Sequence, residues 1–183
     1  MTFTLKGVPV SMNLLILGAG GHGQVVKEIA KRTRKYEKID CLDDNSRNAI
    51  GVFADYAIFL NKYKYAFVAI GNPDIRKNWQ QKLVQKGYEI LSFISKSAYV
   101  SKSSNIKRGS VIMPKTVVNA NVQIGEGYII SAGAIVDLDS KIGQYCHINA
   151  GAIIPPYSIV PYFTKVNYGE VYNNKSKKLD KKA

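Results

Sequence analysis

Residues 118–148 read VNANVQIGEGYIISAGAIVDLDSKIGQYCHI, and an aliphatic residue recurs at every sixth position of this stretch. The series continues on both sides without a miss, and its members are all Ile or Val: Val100, Ile106, Ile112, Val118, Ile124, Ile130, Val136, Ile142, Ile148, Ile154, Val160 and Val166. A mostly small residue stands two positions before each member, as do Ala98, Ser110 and Thr116. This doubly marked register predicts hexapeptide repeats.

A six-residue period with one β-branched inward position describes short strands that are joined by tight corners and wound into a triangular prism. Gly125 and Gly143 directly follow aliphatic positions, where glycine relaxes the corner backbone. Three hexads per turn would give about four coils from Ala98 to Gly169. The strands of an ordinary sandwich recur at about 8 to 12 residues, so the spacing favours a parallel β-helix.

Upstream of the repeats, the pattern alternates between strands and helices. An apolar run at 13–17 is followed by GAGGHG and then by a helical pattern from Gln24 to about Tyr36. The remaining pattern predicts strands at 39–42, 65–70 and 89–94 and a helix at about 75–87. Such alternation is typical of a small parallel sheet covered by helices.

The predicted fold class is therefore α/β plus all-β. A small Rossmann-like βαβ domain is expected over residues 12–95, a β-helix over 96–172, and a basic mobile tail over 173–183. Residues 1–11 are expected to be an extension that precedes the first strand.

A glycine fingerprint lies between the first strand and the first helix. Gly18, Gly20 and Gly23 form G-x-G-x-x-G, and the acid pair Asp43 and Asp44 follows about twenty residues later. Such glycines let the backbone approach a diphosphate, which the amino terminus of the helix attracts. The pattern leaves a nucleotide-sugar site, a dinucleotide site and a purely structural turn open. The short sheet favours a single nucleotide.

The composition limits the class of partner. The formal net charge is +13, from 26 Lys and Arg against 13 Asp and Glu, and part of the excess comes from the tail. The charge suits coenzyme A or a nucleotide sugar, and no nucleic-acid motif accompanies it. We expect no metal site, no membrane span and a cytoplasmic protein, in which Cys41 and Cys146 are free thiols.

The motifs together resemble one family. The segment LILGAGGHG with Asp43 and Asp44, the segment AIGNPDIR at 69–76, and the repeats IGEG and IGQYCHINAGA are similar to those of the bacterial sugar O/N-acyltransferases of sialic-acid and protein-glycosylation pathways. The resemblance spans about Met12 to Tyr172, and both halves occur in the order that the family shows.

The resemblance implies a left-handed β-helix, a homotrimer, a UDP-sugar or related substrate in the amino-terminal domain, and acetyl-CoA along the β-helix between subunits. By motif, the nucleotide-sugar pocket would comprise Gly18, Gly20, Gly21, His22, Gly23, Asp43, Asp44, Gly71, Asn72 and Arg76. His147, Gly151 and Ala152 would lie at acetyl-CoA. Two alternatives are that His22 only caps its turn and that the acid pair only ends a strand.

One departure from the family concerns catalysis. The family segment usually reads IVDHD, whereas residues 135–139 read IVDLD, so Leu138 occupies the place of the expected catalytic histidine. Leucine cannot accept a proton, and the candidates for an alternative base are Asp137, Asp139 and His147.

Three functions remain open at this point. The first is an acyl-CoA-dependent transferase with a nonstandard base, which acts on a nucleotide-linked amino sugar or a sialic-acid-like sugar. The second is a catalytically impaired nucleotide-sugar-binding homologue, and the third is an NAD-linked oxidoreductase built on the glycine turn.

Overall fold

The regular elements follow the two periodicities of the sequence. A computed structural model describes residues 12–173. The amino-terminal extension and the predicted tail after its first residue lie outside the described residues.

The first part of the chain is a four-stranded parallel sheet with helices. Its elements are β1 (Met12–Leu17), α1 (Gly21–Thr33), β2 (Tyr36–Leu42), a 3-10 helix (Phe53–Ala57), β3 (Tyr65–Val68), α2 (Pro73–Lys86) and β4 (Glu89–Ile90). The sheet order is β2-β1-β3-β4. The sequence predicted an apolar side of α1 with Val25, Val26, Ile29 and Ala30, and the last three are buried against the sheet whereas Val25 is exposed. The helix ends at Thr33, three residues before the predicted end, because the next residue, Arg34, has a left-handed φ of 57°.

The second part is a left-handed parallel β-helix of two-residue strands. These strands are β5 (Phe93–Ile94), β6 (Tyr99–Val100), β7 (Asn105–Ile106), β8 (Val111–Ile112), β9 (Val117–Val118), β10 (Gln123–Ile124), β11 (Ile129–Ile130), β12 (Ile135–Val136), β13 (Lys141–Ile142), β14 (His147–Ile148), β15 (Ile153–Ile154), β16 (Ile159–Val160) and β17 (Lys165–Val166). Ile124 pairs with Ile142, so one coil takes eighteen residues and the prediction of three hexads per turn is confirmed.

The strands form three faces of the prism. Face 1 contains β5, β8, β11, β14 and β17, face 2 contains β6, β9, β12 and β15, and face 3 contains β7, β10, β13 and β16. The inward Ile and Val side chains stack into one core, which Tyr172 covers at its carboxyl end.

The start of the β-helix differs from the prediction. The expected single strand at 89–94 is two strands, because Glu89–Ile90 pairs with β3 whereas Phe93–Ile94 pairs with Val111–Ile112 of face 1. Ile94 also continues the six-residue series backwards by one member. The β-helical pairing therefore begins two residues before the predicted boundary near Ser95.

Face 1 carries the α/β domain. Its outward residues Phe93, Val111 and Ile129 are buried in the same core as Val26 and Ile29 of α1. The next outward residue on this face is His147, which is half-buried. The hydrophobic contact between the domains therefore ends where the polar candidate residues begin.

Cys41 and Cys146 are buried free thiols, as predicted. Between residues 12 and 173, the longest helices are too short and too polar to cross a bilayer.

Candidate active site at the domain junction

The glycine turn brings β1 and α1 into close contact. Gly18 has a φ of 108°, and a Cβ atom added at Gly23 would lie 2.0 Å from the carbonyl oxygen of Gly18. Gly20 and Gly21 are exposed, and a Cβ atom at either would meet no atom within 4 Å. Gly18 and Gly23 thus permit the close packing of β1 and α1. Gly20 and Gly21 leave open space at the amino terminus of α1, where backbone N–H groups attract anions.

The acid pair supports the loops around this turn. Asp43 accepts hydrogen bonds from the backbone N–H groups of Ala19, at 2.7 Å, and Asn45, at 2.9 Å. These bonds lower the pKa of the Asp43 carboxyl, the bond from Ala19 contributing most. Asp44 accepts from the N–H of Phe53 at 2.9 Å. Both carboxylates therefore hold backbone in place.

A cavity of about 400 Å³ lies beside the turn. Its lining residues are Ala19, Gln24, Lys27, Glu28, Lys31, Cys41 and Asn48. The two lysines were missed by the sequence analysis, although their spacing of four residues on α1 places them on one side of the helix. Lys31 is paired with Glu28 of the same cavity at 2.8 Å, so its charge is balanced there, and Lys27 adds a further positive charge.

The loop after β3 contributes the other predicted substrate residues. Gly71 is exposed, with open space where a Cβ atom would be. Asn72 caps α2, because its Oδ1 accepts from the N–H groups of Asp74 and Ile75. Arg76 is fully buried, and its guanidinium donates to backbone carbonyls of both domains.

His22 and His147 come from different domains, and both lie near the buried Arg76 at the junction. Burial lowers the pKa of His22 to about 4, with smaller contributions from His147 and Arg76. Burial also lowers the pKa of His147 to about 4, with contributions from Arg76 and Lys165. Both imidazoles are therefore neutral at pH 7. The Nε2 atom of His147 lies 3.2 Å from the Oγ atom of Ser131.

An open strip runs along the neighbouring corner of the prism. Gly133, Gly151 and Gly169 occupy equivalent positions in three successive coils, with φ values of 69°, 69° and 64°. A Cβ atom at Gly133 or Gly169 would meet no atom within 4 Å. Ala152 is fully buried in the β-helix core, so only its backbone could face a ligand.

The predicted carboxylate bases lie elsewhere on the prism. Asp137, Leu138 and Asp139 follow β12 at the corner between faces 2 and 3, whereas His147 lies on face 1. Asp137 Oδ1 accepts from Asn119 Nδ2 at 2.8 Å and from the N–H of Leu138 at 2.7 Å. The structure thus places Ser131 against His147, with His22 at the same junction, and leaves the two carboxylates on another corner of the same chain.

Comparison with known proteins gives matches to both halves. The PglD N-terminal domain family matches residues 13–83. The UDP-N-acetylbacillosamine N-acetyltransferase of Bacillus subtilis (strain 168) is 29% identical over 117 residues, which cover 55% of this chain and 51% of that protein. The chain therefore spans about half the length of this curated relative.

Two solved structures extend the likeness to the whole fold. The acetyltransferase domain of PglB from Neisseria gonorrhoeae FA1090 is 30% identical, with a TM-score of 0.83 over 87% of this chain and 81% of that one. PerB from Caulobacter crescentus, in complex with CoA and GDP-perosamine, is 25% identical, with a TM-score of 0.67 over 86% of this chain and 81% of that one. From the matched amino-terminal domain, the hexapeptide β-helix and the similarity to the PglB domain, it follows that this chain belongs to the bacterial sugar O/N-acyltransferase family of left-handed β-helix proteins.

Proposed function

We propose that the protein transfers the acetyl group of acetyl-CoA to the amino group of a nucleotide-linked amino sugar. The observation that carries the proposal is the position of neutral His147 beside Ser131, between the glycine turn of one domain and the open strip of the other. The named relatives, an N-acetyltransferase and a protein solved with CoA and a nucleotide amino sugar, support this substrate class.

The chemistry requires a proton acceptor. The amine attacks the thioester carbonyl, a C–N bond forms, the C–S bond breaks, and the thiolate of CoA leaves while the nitrogen loses a proton. Because its pKa is lowered to about 4, His147 is neutral at pH 7 and can accept that proton. The lowered pKa makes it a weak base, which suits removal of the proton after attack, when the nitrogen is cationic and acidic.

The substrate positions follow from the open space. The diphosphate would lie at Gly20 and Gly21, where the amino terminus of α1 supplies positive potential and Lys27 lines the adjoining cavity. The pantetheine arm would run along the strip of Gly133, Gly151 and Gly169 towards His147. Acetyl-CoA as the donor and two free buried thiols fit a cytoplasmic protein.

The site would be completed in a homotrimer. The outward residues of face 2 are Tyr99, Val117, Ile135 and Ile153, and Val171 continues this column by pairing with Ile153. Tyr99 and Val171 are 59% and 58% exposed. A continuous apolar sheet face of this kind is suited to subunit packing. The neighbouring subunit would then bring its own corner of Asp137, Leu138 and Asp139 towards the junction.

Leu138 favours a second candidate function, a catalytically impaired protein that binds nucleotide sugars. General-base catalysis contributes about 10²–10⁴-fold, so a side chain that cannot accept a proton at the family's usual position removes a large part of the rate unless His147 or a carboxylate replaces it. A four-stranded sheet is smaller than the two halves that bind a dinucleotide, so the structure does not favour the NAD-linked alternative.

The experiment that separates the two candidates follows thiol release from acetyl-CoA over a panel of UDP-, GDP- and CMP-linked amino sugars. Wild type is compared with Leu138→His, and Leu138→Met is the matched control. We expect wild type and Leu138→Met to turn over, with a faster rate for Leu138→His. Turnover by Leu138→His alone would identify the natural protein as the impaired homologue. If all three proteins bind acetyl-CoA and none transfers it to any acceptor, the proposed activity is wrong for this substrate class.

A further inference from the structure

Helix α2 packs along one corner of the β-helix. The corner positions Gly109, Gly127, Tyr145 and Phe163 stand one coil apart, and all four have positive φ values between 57° and 71°. We call these four residues the corner column. The helix contacts the column at several levels, so it sets how the α/β domain sits on the prism.

Three side chains of α2 make the contacts with the corner column. The amide of Gln80 packs so closely on Gly109 that a Cβ atom there would lie 2.4 Å from its Oε1 atom. The Nζ atom of Lys77 lies 5.3 Å from the ring centroid of Phe163. Between these two contacts lies Arg76, which is the largest fully buried side chain of the chain's described part.

The guanidinium of Arg76 faces a backbone carbonyl along each of its N–H directions. Its Nε atom donates to Gly127 at 2.7 Å, and one terminal nitrogen donates to Ile70 and Gly71 at 2.7 and 2.8 Å. The other terminal nitrogen donates to Tyr145 at 2.9 Å, with a longer contact of 3.5 Å to Cys146. With its donors engaged and its surface buried, Arg76 is not placed to bind a nucleotide sugar directly, although its motif led us to expect that role.

The two groups of carbonyls belong to the two halves of the proposed site. Gly71 lies in the loop after β3, and the neighbouring Ala69 is hydrogen-bonded to Leu17 at the start of the glycine turn, at 2.7 Å. Tyr145 and Cys146 immediately precede His147. A single side chain therefore connects the loop beside the nucleotide-sugar pocket with the strand that carries the imidazole.

We propose that Arg76 is a positioning residue, which holds the nucleotide-sugar domain and His147 in the register that acetyl transfer requires. The inference deepens the proposed function and rests on it. A lysine at this position would keep the charge. Its single ammonium group could not, however, reach all the carbonyls that surround the planar guanidinium of Arg76 on different sides. The guanidinium geometry, in addition to the charge, is what the junction uses.

The two histidines of the chain provide a readout that does not depend on activity. Burial is the main cause of both lowered pKa values, and Arg76 contributes to each of them. The imidazole signals of His22 and His147 can be followed by NMR from pH 8 to pH 3.5 in wild type and in Arg76→Lys. The matched control is Arg108→Lys, which alters an exposed arginine paired with Glu126 near the same corner.

In wild type and Arg108→Lys, we expect both imidazoles to titrate near pH 4. In Arg76→Lys, the charge remains but the junction loosens, so both should titrate closer to 6.5. If both imidazoles of a folded Arg76→Lys protein titrate at the same pH as in wild type, the inference is wrong. If Arg76→Lys does not fold, Gly127→Ala is used instead, because its Cβ atom would press on the Tyr145 ring and displace the carbonyl that accepts from Arg76.

The kinetic test separates positioning from simple stability. For Arg76→Lys, we expect kcat to fall by about a hundredfold, the size of effect that a misplaced reacting group produces, while KM for acetyl-CoA changes by less than about threefold. A lower melting temperature with unchanged kcat and unchanged titrations would show a merely structural arginine. If wild type itself transfers no acetyl group, the proposed function fails, while the titrations still decide whether Arg76 sets the junction.

Discussion

Ser131 directly follows β11, His147 begins the adjacent strand β14 of face 1, and the Oγ atom of the serine lies 3.2 Å from the Nε2 atom of the histidine. This contact orients the imidazole at the point where the α/β domain ends and the open glycine strip begins.

Removing this hydroxyl should slow acetyl transfer. In Ser131→Ala, His147 loses a hydrogen bond that contributes about 1 kcal/mol, so we expect kcat to fall by about fivefold with little change in KM for acetyl-CoA. Steady-state thiol release measures both constants. Ser95→Ala is the matched control, because Ser95 occupies the equivalent corner two coils earlier. Equal rates for wild type and Ser131→Ala would show that Ser131 does not orient His147 for acetyl transfer.

The neutral histidines predict that acid destabilises the protein. Each has a folded-state pKa of about 4 and an unfolded value of 6.5, so the unfolded chain binds protons first. Stability should be complete above pH 6.5 and should fall between pH 6.5 and 4. The 2.5-unit difference for His22 corresponds to about 3 kcal/mol at most, and the effect of His147 should be smaller because it is more solvated.

Urea unfolding at pH 8, 5.5 and 4 measures this loss. The double variant His22→Gln/His147→Gln should show a clearly shallower decline over the same range, since only the carboxylates then titrate. Parallel declines in the two proteins would mean that the histidines are solvated and titrate normally.

The glycine turn predicts opposite outcomes at two nearby positions. In Gly23→Ala, the new Cβ atom would lie 2.0 Å from the Gly18 carbonyl, so we expect a destabilisation of about 3 kcal/mol or more. In Gly21→Ala, the new methyl group enters open space in the first turn of α1, and stability should be unchanged or slightly higher. Urea midpoints compare the two variants, and a tolerated Gly23→Ala would contradict the packing described for β1 and α1.

The apolar outward side of face 2 predicts that the protein is a trimer. Size-exclusion chromatography with light scattering should give a mass about three times 20.3 kDa for wild type. Ile135→Glu places a charge in the middle of this apolar side and should yield a monomer, whereas Lys38→Glu, on the exposed surface of β2, should remain trimeric. A monomeric wild type would rule out a site that is shared between subunits.

The sequence was most informative where one physical requirement is repeated. The inward position of every hexad must be aliphatic, so the spacing predicted the β-helix and its eighteen-residue coil. The start of the β-helix was missed because residues 89–94 read as one strand-like run, although Glu89–Ile90 and Phe93–Ile94 pair with different sheets.

The candidate site was harder to predict, because its polar residues act through tertiary contacts. The motif containing Arg76 predicted a substrate ligand, but its partners Gly127 and Tyr145 lie 51 and 69 residues away. The position of Asp43 likewise does not reveal that its carboxylate accepts from Ala19, which lies 24 residues earlier. The roles assigned to Gly151 and Ala152 at acetyl-CoA stay predictions.

The most direct test of the proposed function is whether CoA release depends on the acceptor. Wild-type protein and His147→Gln are mixed with acetyl-CoA, with and without a nucleotide-linked amino sugar, and free thiol and acetylated sugar are quantified together. The account predicts that wild type releases CoA only when the acceptor is present, in equal amounts with N-acetylated sugar, and that His147→Gln is slower by about 10²-fold or more. Undiminished transfer by His147→Gln would contradict the assignment of the junction as the active site.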